Sequence, residues 1–408
     1  MALNDRVRSF YARNKSALAL SLVALMTASI SNVLAGVTLG FMTDTLELLP
    51  GLMILIPPAI GMRGNIFGAL GSRLGTSMHI GTFEMSFRKG GILRQNLESS
   101  LILSIIMSFL MGVLAEIVSV ALGIESIGMS EFVFISVVGG MMAGMLLVLV
   151  NILIATFGFR RNLDIDNVSA PLITAAGDII TLPMLFVAAL IVLAAPSSIL
   201  FDVFAFLVLV IAICITIMTA RTKNAGIKRI VIQSAPVLFL CVLLDIGAGI
   251  AIDNRIEQLV ALPALLILIP PFLEDANALG GILTSRFGSL LHMGLLEPSR
   301  TPRQVSIENF LLAYILSLWV FVVVGITSHF VALAIGLGSP GLMPMIAISL
   351  LAGLLTVTVL NLISYYVAVY TFKYSLDPDD VSIPITSSTI DLVGALFLME
   401  VIVLLGFA

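Results

Sequence analysis

LPGLMILIPPAIGMRGNIFGALGSRLGTSMHIGTFE, residues 49–84, and LPALLILIPPFLEDANALGGILTSRFGSLLHMGLLE, residues 262–297, align without a gap at an offset of 213, with 16 of 36 positions identical. The shared positions include Pro57/Pro270, Pro58/Pro271, Gly68/Gly281, Arg73/Arg286 and His79/His292. The same offset superimposes DIDNVSAPLITAAGD, ending at Asp178, on DPDDVSIPITSSTID, ending at Asp391. Two separate blocks at one offset mean a duplication, and each copy has room for five long apolar helices.

The composition around these blocks fixes the class. Charged residues make up 11% of the 408 residues and hydrophobic ones 59%, with a mean hydropathy of +1.16. Ordinary soluble domains carry about 25% charged residues. A cytosolic enzyme, a nucleic-acid binder and a disordered chain are excluded on these grounds. The expected class is an all-α polytopic membrane protein. Cys214 and Cys241 lie inside apolar runs and three histidines are scattered, so neither a disulfide framework nor a Cys/His metal cage is expected.

A membrane span needs roughly 20 apolar residues. Eleven runs qualify, at about 17–42, 50–79, 99–124, 130–158, 168–195, 199–220, 231–252, 262–293, 307–337, 342–372 and 381–407. The first is too long for a signal-peptide core and reads as an uncleaved span. With the N-terminus in the cytoplasm, 16 of the 20 basic residues fall in inside segments and one, Arg255, outside. Arg63, Arg73 and Arg286 fall within spans. This bias orients the chain, with its C-terminus outside. The expected division is an N-terminal segment 1–16, a first copy 17–195, a linker helix 196–230 and a second copy 231–408. Because the linker crosses the membrane once more, both five-helix copies start on the same side. They are then parallel repeats about a pseudo-two-fold axis along the membrane normal.

An ionisable residue inside a span costs about 2.5–3.5 kcal/mol at mid-membrane and is a functional candidate. Asp178 and Asp391 stand first, because they are mates about ten residues into corresponding helices. On helices lining the axis they converge, and two close carboxylates repel and share a proton unless a cation cancels their charge. Thr174 and Ser387, four residues earlier, add hydroxyls on the same helix faces. An all-oxygen set suits Mg²⁺, Ca²⁺ or Mn²⁺.

The Pro-Pro pairs fall mid-span and predict broken helices, since proline removes backbone donors. In the first copy Gly61, Gly64 and Asn65 follow, leaving carbonyls and an amide to face an ion. The second copy carries Glu274, Asp275 and Asn277 instead. That acidic pair is either a cation-attracting cluster or the partner of Arg63 in an ion pair across the axis. Asp245, whose mate is Asn32, is a candidate secondary ligand. Glu116 and its mate His329, with Glu400, read as packing or interfacial residues. Arg73, His79, Arg286 and His292 read as structural, with Asp166 and Asp379 as possible partners. Gly139, Gly140 and Gly144 read as close helix packing.

PPAIGMRGNIFGALGSRLGT followed by DNVSAPLITAAGD resembles the membrane domain of MgtE-type magnesium transporters, and the five-plus-one-plus-five layout resembles solute carrier family 41. The resemblance covers essentially the whole chain. It implies divalent cation transport, Mg²⁺ foremost, on a path between the copies, with an aspartate of each fifth helix as ligand; those positions are Asp178 and Asp391. It implies no enzyme activity and no cofactor beyond the transported ion. The second copy departs from the pattern, with EDANALGG in place of the Gly-Asn pair, so the entrance need not be symmetric. Bacterial MgtE carries large cytoplasmic regulatory domains, which this sequence is not expected to share. A passive channel and a Na⁺-coupled carrier read alike here. The expected setting is the plasma membrane, with the lipid bilayer and no nucleic acid as partner, and with a single chain sufficing or joining a higher oligomer. Rival readings are an inverted-repeat cation/Ca²⁺ antiporter, an intramembrane enzyme and a non-transporting scaffold. The charge bias opposes the first, and no histidine stands beside a carboxylate motif for the second.

Overall fold

The computed structural model describes residues 22, 25, 26, 28–88, 90–161, 166–195, 198–374 and 381–407. Every regular element among them is a helix. They run α1 (Ala28–Gly40), α2 (Thr43–Leu48), α3 (Leu52–His79), α4 (Ile92–Leu122), α5 (Met129–Arg161), α6 (Asp166–Ala194) and α7 (Ser198–Arg221). The chain continues through α8 (Ala225–Asp253), α9 (Ile256–Ala261), α10 (Pro263–His292), α11 (Gln304–Ala334), α12 (Leu342–Tyr374) and α13 (Ile383–Leu404). Ten of them, among the described residues, are long and apolar enough to cross a membrane. This is a polytopic all-α membrane protein. The expected first span, 17–42, reaches into residues outside the described set, and α1 is its described part.

The duplication is legible in the local physics of the elements. α4 ends at Gly123 (φ 68°), and Gly336, its mate, follows α11 with φ 78°. In both, the next residue donates back five positions, Ile124 to Ser119 O at 2.9 Å and Leu337 to Ala332 O at 2.8 Å. A left-handed residue that satisfies the last carbonyls in this way ends a helix, and glycine adopts it without strain. Arg73 Nε donates to Asn96 Oδ1 at 2.8 Å, and Arg286 Nε donates to Asn309 Oδ1 at 2.9 Å. Glu116 accepts from Ser126 Oγ at 2.7 Å, while its mate His329 meets Ser339 Oγ at 2.8 Å through Nδ1. Both therefore tie a helix to the turn after it, as packing residues do. The expected partners Asp166 and Asp379 have side chains outside the described residues.

α3 and α10 are the central helices: 78% of each apolar window is buried, against 17% for α7. Around α3 lie α4, α5, α6 and α8, and around α10 lie α9, α11, α12 and α13. α7 lies against α5 and α4, with Phe134 edge-on to Phe201 and Phe204 at 4.9 Å each.

The proline pairs do not break these helices. α3 runs unbroken through Pro57 and Pro58, and α10 through Pro270 and Pro271. Proline at one position leaves the carbonyl four residues earlier without its donor, which for Pro58 is Ile54 and for Pro271 is Ile267. A helix of the other copy presses on each of these carbonyls. A Cβ built at Gly249 would lie 2.6 Å from Ile54 O, and one at Gly36 would clash with Ile267 O. Only glycine lets the backbones come this close. Its Cα–H groups are then the neighbours of the undonated oxygens, a weak but recurrent contact at helix crossings. The expectation of broken helices is thus corrected, and of the carbonyls the prolines free, those of Ile54 and Ile267 face glycines.

Candidate functional site

A cavity of about 360 Å³ opens between α3 and α10. Its wall takes Gly61, Gly64, Asn65, Gly68 and Ser72 from α3, and Glu274, Asn277 and Gly281 from α10. Thr174 and Asp178 of α6, and Ile383, Pro384 and Ser387 at the start of α13, complete it together with Asn32 of α1. Gly64 and Gly68 sit against Thr174, with built Cβ positions 3.4 and 3.3 Å from its side chain, so α3 and α6 close without filling the space.

Six of the eight expected site residues reach the cavity or the void beside it. Asp178 lines the cavity, is only 2% exposed, and its Oδ1 has no hydrogen-bond partner. Thr174, Ser387, Asn65 and Glu274 line it too. Ser387 Oγ donates to Asn65 Oδ1 at 3.4 Å, a contact between the two copies, which leaves Asn65 Nδ2 unpartnered. Asp391 stands slightly apart. Asn277 donates to its Oδ1 at 2.9 Å, and Asp391 borders a separate void of about 10 Å³ rather than the cavity itself. Among the described residues, no three His, Cys, Asp or Glu side chains are gathered closely enough to cage a metal.

The small void is lined by Ile56 and Ile269, Pro57 and Pro270, Ile60 and Leu273, Glu274 and Asp391. The first three couples are mates at the offset of 213. At the level of the prolines α3 and α10 therefore meet through the same residues from both copies. Among the described residues, Ile60 and Glu274 line both spaces.

The remaining two expected residues turn elsewhere. Asp275, fully buried, accepts from Ser29 and from Asn32 Nδ2 at 3.1 Å, both on α1. Asp245 of α8 is fully buried behind Gly61, whose built Cβ lies 2.9 Å from Asp245 Oδ2 and 3.7 Å from Asp391 Oδ2.

The ion pair between Arg63 and the acids is not formed. Arg63, 1% exposed, points from α3 into the gap between α4 and α5, where it donates to Ser104 and Ser108. Gly140 makes the room: a Cβ there would strike the guanidinium. Geometry explains the miss, since Arg63 lies on the far side of α3 from Gly61 and Asn65. Asn277 is the residue whose role the sequence hid. It stood beside the acidic pair, but its mate is Gly64, so the repeat gave it no counterpart.

The family model described as a divalent cation transporter, MgtE, matches residues 56–188 and again residues 269–401. The two matches begin and end 213 residues apart, the offset of the duplication. Similar over most of the chain are solute carrier family 41 members. Member 2 of Xenopus laevis is 25% identical, covering 92% of this chain and 70% of that protein. Member 2 of Gallus gallus is 26% identical over 92% of this chain and 68% of that one. Member 3 of Rattus norvegicus is 24% identical over 88% and 81%. Among solved structures, the eukaryotic MATE transporter AtDTX14 aligns over 98% of this chain and 97% of that one, at 10% identity. Its TM-score of 0.37 is too low to bear on the fold.

Proposed function

The chain belongs to the MgtE family of divalent cation transporters, and from that premise we propose that it moves Mg²⁺ along the boundary of its two copies, with Asp178 and Asp391 as paired ligands. Its family consists of transporters rather than enzymes. The divalent ion is cargo, and no further cofactor enters the reading.

One observation carries the proposal: a cavity of about 360 Å³ whose polar wall is drawn from both copies and whose acids, Asp178 and Glu274, have no basic partner among its described lining residues. Mg²⁺ gives up water reluctantly and is held by one or two carboxylates while it keeps several waters. A space this size admits the ion with its shell. Asp178 supplies an unpartnered oxygen, while Thr174, Ser387, Asn65 and Asn277 can hold the retained waters. Asp391, steadied by Asn277, takes the ion as it moves toward the prolines, and Glu274 bridges the two spaces. Asp275, held by Ser29 and Asn32 of α1, contributes charge at a distance.

The eleven-span arrangement supports a direction for this wall. With the N-terminus cytoplasmic, the cavity runs from mid-membrane toward the cytoplasmic ends at Ser72 and Ile383. On the same orientation its outer end is the one bordered by the mates Ile56/Ile269, Pro57/Pro270 and Ile60/Leu273, and we read the conformation as inward-facing. A cytoplasmic N-terminal tag and an external C-terminal tag are expected in intact cells; both on one side would remove the parallel-repeat arrangement.

The test is flux in proteoliposomes with Mg²⁺, Mn²⁺, Ca²⁺ and Co²⁺, with and without a Na⁺ gradient. Mg²⁺ flux that is lost in folded Asp178→Asn and Asp391→Asn proteins supports the proposal. Wild-type flux in both variants would sink it. The Na⁺ arm separates a coupled carrier from a passive channel.

A further inference from the structure

The turn between α7 and α8, residues 222–224, lies in a short stretch dense in positive charge. Arg221, Lys223, Lys228 and Arg229 fall within nine residues that hold no acid, and all four are exposed. Asn224 closes the start of α8 with its own side chain, Oδ1 accepting from the amides of Gly226 at 3.1 Å and Ile227 at 3.4 Å. The charge there is therefore carried by side chains and not by free helix amides. The loop between α3 and α4 is tied to the same turn. Gln95 Nε2 donates to Gly90 O at 2.7 Å, and a Cβ built at Gly226 would strike Gln95 Oε1. That loop adds Arg88, exposed two residues before Gly90. Among the described residues none of the five cations pairs with an acid: Glu98 is taken by Arg94 at 2.6 Å, which leaves Glu84 as the acid of the loop. Large apolar side chains rim the patch, with Ile80 and Phe87 of the loop, Ile217 and Met218 of α7 and Ile232 of α8 all exposed.

We propose that this patch binds an anionic phospholipid, its phosphate held by Arg221, Lys223, Lys228, Arg229 and Arg88 and its acyl chains lying along the exposed flank of α7. Arginine offers a fork that matches phosphate and lysine a mobile point charge. Lys/Arg clusters at the end of a membrane span draw anionic lipid, each cation adding on the order of fivefold in affinity. Two features favour a lipid over a soluble polyanion. The patch stands where α3 and α7 end and α4 and α8 begin, which is headgroup depth, and its apolar rim suits the acyl boundary. α7 also has a flank to offer. It rests on α5 and α4 through residues such as Phe201 and Val208 of its first half, while Ile213, Ile217 and Met218 of its second half are exposed. The corresponding loop of the second copy is different: Thr301 is the mate of Arg88, and Arg303 pairs with Glu297 at 2.5 Å. Because the α3–α4 loop belongs to the first copy and α8 to the second, one headgroup here bridges the two copies beside the linker helix.

The site is separate from the cation path, and thermal unfolding of the purified full chain in detergent tests it without any flux measurement. Dioleoyl phosphatidylglycerol, dioleoyl phosphatidylcholine or inorganic phosphate is titrated at constant ionic strength. The wild type is expected to show a saturable rise in melting temperature with phosphatidylglycerol, little with phosphatidylcholine and none with phosphate. Replacing Arg221, Lys223, Lys228 and Arg229 together by Gln should raise the half-saturating phosphatidylglycerol concentration by about a hundredfold or more. Arg300→Gln with Arg303→Gln, at the second copy's loop, should leave it unchanged. Where the fourfold variant does not fold, Lys223→Gln with Lys228→Gln serves, with a shift of about tenfold or more. Equal responses to the two lipids, or a wild-type response in the variants of the turn, overturn the site. So does a rise with inorganic phosphate that matches the lipid, which would mean a soluble anion. An equal loss on changing Arg300 and Arg303 overturns it too, because the charge of the whole face would then be responsible.

Discussion

Gly61, Met62 and Arg63 on α3 stand where Glu274, Asp275 and Ala276 stand on α10. The helices are otherwise laid out alike, with the same prolines, the same arginine-to-asparagine tie at one end and the same pressing glycine from the opposite copy. The difference is confined to the turn that faces the cavity. In the first copy that turn is small and carries its one charge away from the cavity, into Ser104 and Ser108. In the second it points Glu274 into the cavity and buries Asp275 against α1. The gap beside Gly140 that receives Arg63 has a counterpart beside Gly353, which the ring of Phe321 fills. Phe321 is the mate of Ser108. One framework therefore accepts either a cation with two hydroxyls or an aromatic ring. The lesson is that duplication preserved backbone contacts and let the lining diverge.

The comparison breaks first, and most severely, at the residues on which the copies agree. Asp178→Asn and Asp391→Asn each remove one of two charges from a shared path, with an expected cost on the order of 3 kcal/mol, about a hundredfold in flux. The double variant should fall little further, because either change spoils the same path. Proteoliposome uptake measures this, and additive losses would mean that the two aspartates act at independent sites.

The next largest effect is expected where the copies grip each other. Gly36→Leu and Gly249→Leu each drive a side chain into a backbone carbonyl. Each should destabilise by about 1–3 kcal/mol, read as a lower melting temperature in detergent. A clear inequality between them would show that the two crossings are not equivalent.

Arg63 sharpens the contrast. Arg63→Ala should cost about 2 kcal/mol by leaving a cavity and two unbonded serines. Adding Ser108→Phe rebuilds the second copy's arrangement and should recover about 1 kcal/mol or more, a coupling visible in a double-mutant cycle. No recovery would mean that the charge of Arg63, not its volume, matters there. The smallest change is expected at the matched ties. Asn96→Ala and Asn309→Ala should each cost about 1 kcal/mol and leave flux unchanged, by thermal unfolding and uptake respectively.

The duplication, ten apolar spans and the burial of Asp178 beside the cavity were legible because each depends on spacing along the chain. The proline pairs misled, since a lost donor signals a break only when nothing nearby compensates. The compensating glycines, Gly36 and Gly249, lie 231 and 195 residues from the carbonyls they meet. Arg63 misled for a related reason. Acids nearby in the alignment looked like partners, while the hydroxyls that bind it sit on the next helix, on its other face. Asp275 was legible as buried and acidic, but its capture by Ser29 and Asn32 depended on how α1 crosses α10. Gly61 carried no signal at all, because its contribution is an empty volume.

The reciprocal glycine-to-carbonyl crossings also bear on how such a chain came to exist. Each copy completes the other's proline helix, so an unduplicated ancestor with this interlock needed a second molecule of itself. In such an ancestor every substitution struck both sides at once, and an aspartate gained at one crossing was gained at two. Joining the genes end to end lifted that constraint. Asn32 and Asp245, or Gly61 and Glu274, record mutations that a self-paired ancestor had no means of making singly.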